Sequence, residues 1–119
     1  METIIKFETA KIAKQKGFFE GFLLYNQEGK MWQTFFIGHE EREQFSAVSQ
    51  ATLSKWLREN HNIDVWVRPD RVIRGEKANG YTASVVGKDN EFFHWDLGGI
   101  HNKYEDAFEV ALIKALELI

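Results

Sequence analysis

The stretch of the chain best equipped for chemistry is His94-Trp95-Asp96. On an extended segment, residues two apart point to one face, which brings the imidazole of His94 beside the carboxylate of Asp96. A carboxylate so placed orients an imidazole and favours its protonated form, an arrangement suited to proton transfer. His101 follows the Gly98-Gly99-Ile100 turn, and two histidines with one aspartate supply donors for a divalent ion. A metal-dependent enzyme would therefore use His94, Asp96 and His101. No complete ligand spacing accompanies the trio, so the simpler reading is a polar strand face running into a loop. His39, Glu40, Glu41 and Glu43 are nearly consecutive, and such side chains diverge rather than meet at one ion. That run reads as a solvated loop. His61 reads as a helix C-terminal residue beside free carbonyls.

Other chemistry is excluded by composition. The chain has 119 residues and no cysteine, which removes thiol nucleophiles, disulfides and thiolate zinc sites. No glycine-rich phosphate loop is present, because no helix opens on Gly98-Gly99 with the required spacing. Ser46, Ser49 and Ser54 stand at the start of a helix, where serine caps, and none lies in a nucleophile elbow. No cofactor is expected. The net charge of −3 gives no global support to phosphate binding. Locally, the connector carrying Arg68, Arg71, Arg74 and Lys77 holds only Asp70 and Glu76 as acids. With Trp66 close by for stacking on bases, it defines the nucleic-acid alternative. Lys6, Lys11, Lys14 and Lys16 form a second basic group.

The elements that would position these residues follow from periodicity and punctuation. Residues 4–16 read as a helix ended by Gly17, a natural left-handed C′ residue, with its lysines facing water. Residues 22–25 and 31–37 read as strands joined by a turn at Asn26-Gln27-Glu28-Gly29. Residues 38–45 form a charged loop. A second helix starts at Ser49 and ends near His61 and Asn62. Residues 63–68 alternate as a strand, and Pro69 is expected to stop it. Residues 70–79 form a long connector, and residues 81–86 and 91–97 a hairpin. The last helix, about 103–118, has a wide apolar face from Tyr104 to Ile119 and a polar strip at Glu105, Asp106, Glu109 and Glu117. A helix this apolar is either deeply covered or partly an interface. The order α-β-β-α-β-β-β-α predicts a single α+β domain over 1–119. Its expected form is a five-stranded, mainly antiparallel sheet with helices on one face.

Two segments carry a resemblance: residues 52–63 (TLSKWLRENHNI) and residues 104–119 (YEDAFEVALIKALELI). Together with Lys16-Gly17-Phe18 they resemble a family of small proteins of gut Bacteroidetes genomes and their phages. The resemblance implies a phage or mobile-element setting and transfers no activity or site residue. No apolar run reaches the ~18–20 residues that span a bilayer, and residues 1–6 lack the apolar core of a secretory signal. A cytoplasmic protein without membrane contact is the expectation.

The aromatic load has the most leverage: ten Phe, four Trp and three Tyr. Alternation that turns Val65, Val67, Phe93, Trp95, Met31 and Phe35 toward the helices leaves Trp32, Phe36, Trp66 and Phe92 on the other face, beside His94. An exposed apolar face of that kind marks an interaction site. The leading expectation is thus a small non-catalytic intracellular binding module acting by protein–protein contact. A homodimer fits such a face, which is readily self-complementary. Nucleic-acid binding ranks second and metal-dependent catalysis third.

Overall fold

A computed structural model of the chain describes residues 3–20, 23–33, 44–70, 80–87, 93–94 and 100–119, with the backbone alone at residues 32, 33, 70, 93 and 94. The class is α+β. In order, the elements are α1 (Phe7–Gln15), β1 (Leu23–Tyr25), β2 (Met31–Gln33), β3 (Phe45–Ser46), α2 (Gln50–His61), β4 (Asp64–Asp70), β5 (Gly80–Val86), β6 (Phe93–His94) and α3 (Tyr104–Glu117). The strands do not join into the expected five-stranded sheet. They form two three-stranded sheets, ordered β2-β1-β3 and β4-β5-β6. The chain also divides into two compact units, Met1–Thr52 and Leu53–Ile119, with the division inside α2.

In the first unit the helix begins later than its pattern suggests. The β-branched run Thr3-Ile4-Ile5 is extended, as such residues prefer. It lies along residues 48–50, with Ile5 N–H donating to the Val48 carbonyl at 2.9 Å and Gln50 N–H to the Thr3 carbonyl at 2.8 Å. The helix ends as its glycine dictates. Gly17 has φ +99°, its N–H bonds back to the Lys14 carbonyl, and the Phe18 N–H reaches the Ala13 carbonyl. That paired closure is a Schellman motif. Phe18 is then fully buried.

The first hairpin forms at the expected turn. Asn26 Oδ1 accepts from the N–H groups of Glu28 and Lys30 at 2.9 and 3.0 Å, and Gly29 takes φ +84°. Such an Asx-type turn holds its own backbone in place of a ladder. Phe45, read from the sequence as the end of a charged loop, and Ser46, read as standing at the start of the second helix, instead pair with Tyr25 and Leu24. Phe7 of α1 packs on this sheet, its ring 5.5 Å from that of Tyr25 and 5.6 Å from that of Phe45. The Tyr25 hydroxyl donates to the Ile5 carbonyl. Lys14, expected to face water, donates to the Gln44 carbonyl at 2.8 Å and lies over the rings of Phe19 and Phe45.

In the second unit, β4 pairs antiparallel with β5 over its whole length, from Asp64 opposite Val86 to Asp70 opposite Gly80. Pro69 does not end β4; it is inside it, opposite Tyr81. The reason lies on the other side of Tyr81, whose N–H and C=O are both exchanged with His101, at 2.7 and 2.8 Å. In an antiparallel ladder both groups of a residue point the same way, so Tyr81 asks nothing of Pro69. As an edge strand, β4 can carry a proline whose nitrogen faces outward.

The last helix lies against β4 and β5. Its coverage is deeper than the periodicity implies. Ala107, Ala111, Leu112, Ala115 and Leu116 are fully buried, and so, at 3% exposure, is Glu109, which the sequence places on the polar strip. Tyr104, read as core, is 43% exposed. As the first residue of α3 it projects beyond the covered length and touches Tyr81 and Phe108 edge-on, each with ring centroids 5.8 Å apart.

Candidate interaction surface

The alternation of β4 decides which of its side chains meet solvent. Tyr81 touches Tyr104 of α3, so Tyr81, Ala83 and Val85 share the helix side of the sheet. Their partners Pro69, Val67 and Val65 share it too. Asp64, Trp66 and Arg68 therefore lie on the opposite side, opposite Val86, Ser84 and Thr82. Those three residues of β5 are buried at 7%, 2% and 5% exposure, whereas Trp66 is 49% exposed and Arg68 is exposed. Among the described residues of β4 and β5, exposure on this side is confined to the edge strand.

The same alternation sets the backbone. With the Pro69–Tyr81 pair free of hydrogen bonds, the pairs Val67–Ala83 and Val65–Val85 are also of the non-bonded kind. Val65 and Val67 consequently direct their own N–H and C=O groups to the outer edge. No described strand lies beyond β4 there.

Trp32 belongs to the other sheet, opposite Leu24 and in one row with Ser46, both fully or almost fully buried. Met31, expected to be core, is 53% exposed at the edge of that sheet. Met31 stands in one row with Tyr25 and Phe45, whose rings meet Phe7 of α1, so its row is the helix side as expected and its exposure goes with its place on the edge strand. His94 stands opposite Val85, in the row of Val65, while Trp66 occupies a row of the other parity. Phe36, Phe92, Arg71, Arg74, Lys77 and Asp96 lie outside the described residues.

His94 and His101 are fixed by β5, against Val85 and Tyr81. Four residues of extended chain separate those anchors, about 13 Å at ~3.3 Å per residue. Two imidazoles reaching a common ion at ~2.0–2.1 Å do not favour such a span. Among the described residues, no three His, Asp or Glu side chains are gathered for a metal.

Comparison with protein-family models, curated proteins and solved structures gives no match. The site must therefore be argued from its own geometry. That geometry adds three exposed residues to those singled out by pattern: Met31, Ile100 at 56% and Tyr104. Each stands at the beginning or outside of a regular element, where alternation and helical periodicity carry no signal. Among the described residues, no helix is long and apolar enough to cross a membrane.

Proposed function

We propose that the protein is a small non-catalytic, intracellular binding module that acts by protein–protein contact, with the outward side of β4 as its contact surface. The observation that carries this reading is Trp66. A tryptophan exposed by half on a strand whose neighbours on that side are buried is costly to leave in water and typical of interface anchors. Arg68 lies two residues along on the same side, and arginine and tryptophan are the types most enriched where partners bind. The outer edge of β4, beyond which no described strand lies, presents backbone donors and acceptors of the kind that strand addition uses.

The test is capture from cell extract with the wild-type chain and with Trp66→Lys, after circular dichroism has shown that the variant is folded. A bound protein present with the first and lost with the second supports the reading. Equal capture by both overturns it, and so does capture by neither when the wild-type chain also stays monomeric at high concentration.

A further inference from the structure

We infer that β4 is a self-pairing edge, whose occupant is the β4 strand of a second copy of this chain. The inference rests on the contact-module reading and names its partner. The argument starts from the order of residues along the strand: Asp64, Val65, Trp66, Val67, Arg68. Read antiparallel about Trp66, this order is complementary to itself. Asp64 meets the second copy's Arg68, Val65 meets its Val67, and Trp66 meets its Trp66.

The backbone agrees with that register. Val65 and Val67 are the residues whose N–H and C=O groups point outward, so each Val65–Val67 pair exchanges both of its hydrogen bonds across the two-fold. The Trp66 pair and both Asp64–Arg68 pairs are then the non-bonded kind, with Cα atoms ~4.5 Å apart and side chains at their closest. Opposite charges fall at both ends, and the two exposed indoles cover each other at the centre. Like charges at those positions would oppose pairing.

The ends of the pairing are also set. The next pair outward is Ile63 with Pro69 of the second copy. Pro69 has no N–H, and the Ile63 N–H is donated to the Leu57 carbonyl at 3.3 Å. Neither has a donor to give, so the match stops after Asp64 and Arg68. The two three-stranded sheets of the two copies become one continuous sheet. Pairing also occupies an edge beyond which no described strand lies, the kind of edge that invites unspecific strand addition.

Sedimentation equilibrium over a wide concentration range tests this with four proteins: wild type, Asp64→Arg, Arg68→Asp and the double reversal. The wild type is expected to move toward twice the single-chain mass as concentration rises. Each single reversal turns both symmetry-related pairs into like charges and weakens dimerisation by about tenfold or more. The double reversal rebuilds both pairs and returns the dissociation constant to within about threefold of wild type. Thermal unfolding confirms that each variant is folded, and the rescue in the double variant separates pairing from misfolding. A wild type that stays monomeric overturns the inference, as do variants that all dimerise equally and a double reversal that fails to recover. A monomeric wild type that nonetheless captures another protein in a Trp66-dependent way overturns self-pairing alone and leaves the contact-module reading standing.

Discussion

Pro69 sits opposite Tyr81 in a strand pair that requires no hydrogen bond from either, because Tyr81 gives both its backbone groups to His101. A proline inside a strand is therefore accommodated without loss. Pro69→Ala should leave the ladder intact and cost only the ~0.5–1 kcal/mol by which proline restrains the unfolded chain. Urea unfolding measures this. A loss well beyond that range would mean that the ring of Pro69 is needed for packing.

The neighbouring glycine is expected to behave in the opposite way. A Cβ at Gly80 would stand 2.6 Å from the His101 carbonyl oxygen and 2.5 Å from the Ile100 side chain. The first of these is backbone held by the Tyr81 bridge, so it cannot swing aside. Gly80→Ala should destabilise by ~1–3 kcal/mol, the usual cost of forcing extra volume into a packed site. Chemical denaturation checks it, and an unchanged midpoint would show that the His101 segment yields.

Ser49 caps α2: its Oγ accepts from the Thr52 N–H at 3.1 Å and lies 2.8 Å from the Thr52 hydroxyl. Ser49→Ala should cost ~1 kcal/mol, read as a lower denaturation midpoint, and Ser49→Asp should retain most of the stability. Equal stability of Ser49→Ala and wild type would contradict the cap.

The ammonium of Lys14 contributes to holding α1 against the segment at Gln44 and Phe45, through one hydrogen bond to a carbonyl and two aromatic rings. Lys14→Ala is expected to destabilise by roughly 1–2 kcal/mol, from a charge-assisted hydrogen bond and partly exposed cation–π contacts. Were Lys14 an ordinary surface lysine, the change would fall within ~0.5 kcal/mol.

What the sequence discloses here is local. Gly17 as a C′ residue, the Asn26 turn, the Ser49 cap and the end of α2 near Asn62, which takes φ +56°, are each decided within a few residues, and each is found as read. The α+β class and the antiparallel hairpins follow from the same short-range signals. What eludes pattern reading is decided at a distance. The pairing of Phe45 and Ser46 with β1 depends on residues about twenty positions away. The fate of Pro69 depends on His101, and the burial of Glu109 and exposure of Tyr104 depend on what packs around α3 rather than on its own periodicity. The expected aromatic face presumed one sheet and a common parity. Instead there are two sheets, Trp32 belongs to the sheet of the first unit, and β6 runs in the other phase, which puts His94 in a row of opposite parity to Trp66. Trp66 is exposed as its alternation predicts, because β4 alternates without interruption on either side of it, while Phe36 and Phe92 lie outside the described residues.

The outer edge of β4 is the centre of the account, and amide hydrogen exchange at Val65 and Val67 reads it directly. At low protein concentration both amides, which point away from β5, should exchange quickly, while those of Trp66 and Arg68, bonded into the ladder with β5, are protected. As concentration rises, Val65 and Val67 should gain protection in step with dimer formation, and Asp64→Arg should abolish the gain. Exchange at these two amides that is fast and independent of concentration, up to the highest concentration at which the protein stays in solution, would contradict the account.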